Sequence, residues 1–125
     1  MRLLLDTHVL LWWLANEPTL GQAARSAIAA SEGEVFVSAA SAWEISIKEA
    51  LGRLRAPSDL ERQLELHRFQ PLPITIGHAY VAGALPRHHG DPFDRMLVAQ
   101  AKAEDLVVVT RDPRFDLYGV GTLAA

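Results

Sequence analysis

Residues 3–8 read LLLDTH, and this short stretch decides how the rest of the chain is read. Leu3, Leu4 and Leu5 form an apolar run without the alternation of a half-solvated strand. Such a run suits a strand buried on both faces, as in a parallel sheet covered by helices. The run ends in a carboxylate, Asp6. In open parallel sheets, ligands bind in the crevice at the carboxyl ends of the strands. A strand end is also a rigid place from which to aim a charge into a cleft.

Working outward, strands and helices alternate. Asp6 or Thr7 can cap a helix over His8–Ala15, which Asn16-Glu17-Pro18 ends. Leu20–Ala30 is alanine-rich and helical, and Ser31-Glu32-Gly33 stops it. Glu34–Ser38 is β-branched and aromatic, which predicts a second strand. Ser41–Leu51 reads as helix with Gly52 near its end, and Pro57-Ser58-Asp59 opens another over Leu60–Arg68. Leu72–Ile76 is expected as an edge strand because of Pro73. A short helix is expected over His78–Leu85, a loop over Pro86–Pro92, and a helix over Phe93–Glu104 with Asp91 or Pro92 at its start. Leu106–Thr110 (LVVVT) is the clearest strand, and Tyr118–Ala125 has room for a final short one. Strands separated by helices predict a three-layer α/β/α sandwich around a mostly parallel central sheet. The 125 residues suit one domain over residues 1–125.

Composition narrows the function classes. Half the residues are hydrophobic and 22% are charged, an ordinary globular balance able to build a core without staples. There is no cysteine, so no disulfide and no thiolate metal site, which suits a reducing compartment. No apolar run approaches a membrane span, and the charge at Asp6 comes too early for the apolar region of a secretory signal. A cytoplasmic protein is therefore expected. The net charge of −3 argues against a broad, non-specific grip on nucleic acid, but not against a site where metal ions supply the positive charge.

Four acids follow or lie near strand ends: Asp6, Glu44, Asp94 and Asp112. Each has a plain structural explanation when taken singly. Asp6 can cap a helix, and Glu44 can pair with Lys48 one turn on. Asp94 suits the positive end of a helix, and Asp112 suits a turn before Pro113. Asp91 is a candidate N-cap. Their order along the chain is harder to explain singly. Other chemistries lack their signatures, since there is no G-x-S-x-G elbow, P-loop or G-x-G-x-x-G fingerprint. A receiver domain would end a central strand in a phosphoacceptor Asp and a later one in Lys, whereas the strands here end in Ser38 and Thr110. His88 and His89 have no partners at metal-ligand spacing, so no histidine ligand is expected. Trp12 and Trp13 are neighbours on a helix that is apolar almost all round. Either that helix is deep core, or one face of it meets another chain.

These motifs resemble the PIN-domain ribonucleases, specifically the VapC-type toxins of toxin–antitoxin pairs. The resemblance runs from LLLDTHVLLW through SAASAWEISIK around Glu44 and DPFDRMLVAQA around Asp94 to TRD at Thr110–Asp112. It implies a divalent-metal enzyme, using Mg²⁺ or Mn²⁺, that hydrolyses RNA phosphodiester bonds. Asp6, Glu44, Asp94 and Asp112 would then hold the metal and carry the reaction. Thr7 and Thr110 would support them through their hydroxyls, and Asp91 would be a cap or a supporting residue. Arg87, Arg95 and Lys48 are candidate contacts to RNA. The implied partners are a cognate antitoxin, an RNA substrate, a second copy in a homodimer, and promoter DNA bound together with the antitoxin. The alternative is a PIN-like module that binds nucleic acid or protein without cutting.

Overall fold

The computed structural model describes residues 1–125. Five strands, β1 (Leu3–Leu5), β2 (Val35–Ser38), β3 (Gln70–Leu72), β4 (Val107–Thr110) and β5 (Thr122–Ala124), form one sheet in the order β3-β2-β1-β4-β5. Every pairing is parallel. The helices are α1 (Thr7–Leu14), α2 (Gln22–Ala30), α3 (Ala39–Ala50), α4 (Leu60–Leu66), α5 (Ile76–Ala84) and α6 (Pro92–Glu104), followed by a 3-10 turn over Pro113–Tyr118.

The central position of β1 explains its lack of alternation. Successive strand residues point to opposite faces. Leu3 and Leu5 pack with Val9, Leu10, Ile28 and Ile45 on one face. Leu4 packs with Leu97, Val98, Val108 and Phe115 on the other. Both faces are covered, so both sets must be apolar. Val109 and Val108 divide between the same two cores in β4. The three-layer α/β expectation therefore holds, with a sheet that is wholly parallel.

Two elements differ from expectation. The third strand lies at Gln70–Leu72 rather than Leu72–Ile76. It is an edge strand pairing only with β2, so Pro71 costs no ladder hydrogen bond on a second side. The stretch expected to continue it instead starts α5. Thr75 and His78 form a reciprocal capping box, each side chain accepting from the other's backbone N–H. The chain also forms a 3-10 turn beyond the expected elements. Asp112 caps it and buries Phe115 and Tyr118 against the second core. No helix is long and apolar enough to cross a membrane.

Trp12 and Trp13 are both half-buried against the first core. The Arg111 guanidinium lies over Trp12, 4.6 Å from its ring centroid. Trp13 donates from Nε1 to His67 Nδ1 at 3.1 Å and packs on Phe69. The apolar helix is thus largely accounted for within this chain.

Candidate active site

The parallel register brings the ends of β1 and β4 side by side. Leu5 pairs with Val109, and the Asp6 N–H continues the ladder to the Val109 carbonyl at 3.1 Å. Asp6 then leaves the sheet as the N-cap of α1. Its Oδ1 accepts from the Val9 N–H at 2.8 Å, and its Oδ2 from the Thr110 hydroxyl at 2.7 Å. Burial pushes the Asp6 carboxyl above its ordinary pKa, and these two hydrogen bonds oppose that rise.

Glu44 reaches the same end of the sheet from α3. It is only 3% exposed and is held on both oxygens. The Thr7 hydroxyl donates to Oε1 at 2.7 Å and lies 3.1 Å from Ser41 Oγ. Lys48 approaches Oε2 at 2.5 Å from one helical turn on. That bond pushes the Lys48 ammonium above its ordinary pKa. The plain pairing and the functional placement of Glu44 therefore coexist.

Asp91 caps α6, its Oδ1 accepting from the N–H groups of Phe93 at 2.8 Å and Asp94 at 3.2 Å. Pro92 begins the helix where a missing N–H costs nothing. This places Asp94 in the first turn, facing the other acids. Its pKa is pushed up to about 7, chiefly by burial and then by the charges of Asp91, Asp6, Glu44 and Asp112. Asp112 is the opposite case. Arg114 folds back onto it as a fork, with Nε 3.0 Å from Oδ1 and Nη2 2.7 Å from Oδ2. This pair brings its pKa down to about 2. Thr110 couples the two strand-end acids: its oxygen accepts from the Asp112 N–H at 3.1 Å while its proton goes to Asp6.

His89 stands between two of these carboxylates. It is buried, and its Nε2 lies 2.8 Å from Asp94 Oδ2 and 3.2 Å from Asp112 Oδ2. Nδ1 accepts from the Asp91 N–H at 3.2 Å, which assigns the neutral ring's proton to Nε2. Neither carboxylate lies in line with that N–H, so Nε2 has no aligned hydrogen bond.

The PIN domain model of known protein families matches residues 3–120. The chain belongs to the PIN domain family. Ribonuclease VapC22 of Mycobacterium tuberculosis is 33% identical over 114 residues, spanning 89% of this chain and 87% of that protein. Among solved structures, FitAcB from Neisseria gonorrhoeae superposes with a TM-score of 0.71 at 23% identity, covering 98% of this chain and 96% of that one. The DNA-bound VapBC from Salmonella typhimurium gives 0.71 at 19% identity, with coverages of 99% and 98%. At these identities the structural likeness is one of fold.

Within this PIN fold, Asp6, Glu44, Asp94 and Asp112 come from four separate elements and influence one another electrostatically. The donors fit a divalent cation. Oxygens of Asp94 and Asp112 lie within 4.8 Å of each other and of His89 Nε2, whose N–H lines this buried polar space and is not itself a ligand. Hard carboxylate oxygens suit Mg²⁺ or Mn²⁺.

The expected RNA contacts divide differently. Arg95 spends its guanidinium on the carbonyls of Pro86, Ala82 and Leu85 at 2.8, 2.9 and 3.0 Å, closing the C-terminal end of α5. Its Nη1 also lies 3.4 Å from the Tyr118 hydroxyl, and the side chain lines the shallow cleft beside His89. Lys48 is committed to Glu44. Arg87 is exposed and lines a shallow cleft with Gly83, His89 and Gly90. Two residues at the site escaped sequence reasoning, His89 and Arg114. Spacing alone conceals the first, because its carboxylate partner Asp112 arrives through the sheet. For Arg114, the signal was its place two residues after Asp112 in TRDPRF.

Proposed function

We propose that this chain is a metal-dependent endoribonuclease, the toxin of a toxin–antitoxin pair, with residues 1–125 acting as one nuclease unit in the cytoplasm. The observation that carries the reading is the convergence of four acids from β1, α3, α6 and the end of β4 on one cleft. Asp94 is held there near the threshold of ionisation. The likeness to a protein named a ribonuclease supports it.

In this reading Asp6, Glu44, Asp94 and Asp112 hold Mg²⁺ or Mn²⁺. When bound, the metal lowers the pKa of its water and stabilises charge on the phosphoryl oxygens. Asp94 would hold the cation as its ionised carboxylate. Thr110 orients Asp6 and Asp112 together, and Thr7 with Lys48 fixes the rotamer of Glu44. His89 stands between Asp94 and Asp112, its Nε2 2.8 and 3.2 Å from an oxygen of each. Asp91 supports the set by capping α6.

The partners in this reading are RNA, a second copy of the chain, and an antitoxin with which it binds promoter DNA. Solved neighbours of the same fold include a toxin–antitoxin complex from Klebsiella pneumoniae and a DNA-bound VapBC, which supports the antitoxin and the promoter DNA. An apolar groove lined by Trp43, Ile74, Phe93 and Met96 beside α6 offers room for an apolar segment.

The test is cleavage of total cellular RNA by the purified, antitoxin-free chain with Mg²⁺, Mn²⁺ or EDTA, beside Asp94→Asn. Cutting is expected only with metal and only with Asp94. Full activity in Asp94→Asn would sink the site assignment. A folded, metal-binding chain that cuts nothing would favour the non-cutting binding module.

A further inference from the structure

Arg114 occupies the carboxylate that a metal would need. Its Nε lies 3.0 and 3.1 Å from Asp112 Oδ1 and Oδ2, and its Nη2 2.7 Å from Oδ2. Its backbone N–H donates to Oδ1 at 2.9 Å, and His89 Nε2 lies 3.2 Å from Oδ2. While this fork is closed, Asp112 offers no free oxygen. The fork is nevertheless built to open. The Arg114 side chain is 52% exposed, and Asp112 is its sole acceptor. The other cations near the cleft are differently placed. Lys48 is bound to the buried Glu44, Arg95 to three carbonyls, and Arg111 to the carbonyls of Thr19 and Ala125.

A guanidinium fork that fits a carboxylate also fits a phosphate, with two parallel N–H donors to two oxygens. We propose that Arg114 is a resident counter-ion of Asp112 that metal displaces and that then grips a backbone phosphate of the RNA. This rests on the metal-dependent ribonuclease reading. Asp112 changes partners from Arg114 to the metal. The released guanidinium is two residues from Asp112, so a phosphate drawn to a cation there lies within its reach. One side chain thus balances Asp112 before metal binds and recognises substrate afterwards.

The two roles predict opposite changes in one variant. The antitoxin-free chain and its Arg114→Ala and Arg114→Gln variants would be titrated with Mn²⁺ alone. Binding of a short fluorescent single-stranded RNA would be followed by anisotropy, with Ca²⁺ present to occupy oxygen ligands. Removing the competitor is expected to tighten Mn²⁺ binding about fivefold. RNA binding is expected to weaken about tenfold, with a salt dependence shallower by roughly one phosphate contact. Arg114→Lys should recover part of the RNA affinity, because it restores charge without the fork. A merely structural arginine would weaken both ligands together or neither. Mn²⁺ affinity equal to or below wild type, or RNA affinity unchanged, would overturn the proposal while leaving the ribonuclease reading intact. A folded wild-type chain that binds neither Mn²⁺ nor RNA would overturn both.

Discussion

At the scale of single residues, Asp94 and Asp112 show how one cleft gives two aspartates opposite character. Burial and four neighbouring charges raise Asp94 to about 7, while the Arg114 fork lowers Asp112 to about 2. Between the ordinary value of 3.8 and about 7, the folded chain binds more protons at Asp94 than the unfolded chain does. Stability of the metal-free protein should therefore fall as pH rises through that window. Asp112 works in the other sense. Its contribution is present above 3.8 and lost as pH falls toward 2, outside the same window. Thermal melts in EDTA across this range are expected to show Tm declining toward neutral pH. Asp94→Asn should flatten the decline and melt higher at neutral pH, by roughly 1–2 kcal/mol of stability, while losing RNA cleavage. A wild-type Tm that rises through the window would contradict the assignment of Asp94.

At the scale of elements, the site depends on two adjacent strands ending together. The Thr110 hydroxyl spans them, donating to Asp6 at the end of β1 and accepting from the Asp112 N–H beyond β4. Thr110→Val keeps the shape and removes both bonds. It is expected to cost about 1–3 kcal/mol in denaturant unfolding and to weaken Mn²⁺ binding, because both acids lose their orientation. Leu4 tests the sheet beneath. It is fully buried against α6 and Phe115, so Leu4→Ala should cost about 2–5 kcal/mol. The end of the cleft set by Asp94 should loosen with it, which amide exchange in α6 would report. The same scale explains what was legible. Non-alternating β1 and β4 were readable because strands covered on both faces carry apolar residues at every position. β3 starts two residues and ends four residues before the expected strand because an edge strand containing Pro71 carries little pattern, and the capping box at Thr75 and His78 outweighs the β-propensity of Ile74–Ile76.

At the scale of the whole molecule, the cleft offsets part of its negative charge from within. Lys48 pairs with Glu44, Arg114 with Asp112, and Asp94 tends to hold a proton. A divalent cation that binds the folded chain and not the unfolded one stabilises it by mass action. At about 100-fold excess over Kd the gain is about 2.7 kcal/mol, so Mn²⁺ should raise Tm by roughly 10 °C. Asp6→Asn combined with Asp94→Asn should lose that increment. A wild-type Tm indifferent to millimolar Mn²⁺ would count against a metal site in this cleft.

The amino-acid sequence alone determined the parallel α/β architecture, the alternation of its elements, and the delivery of Asp6, Glu44, Asp94 and Asp112 to strand ends and to the helices beside them. These are properties of local periodicity and of near neighbours along the chain. Only the tertiary structure decided that Arg95 braces three carbonyls while Arg114 pairs with Asp112, and that His89 sits between Asp94 and Asp112. It alone also decided that Asp94 resists ionisation while Asp112 does not. Those outcomes depend on desolvation and on contacts such as Thr110 to Asp6, 104 residues apart, which exist only once β1 and β4 have paired.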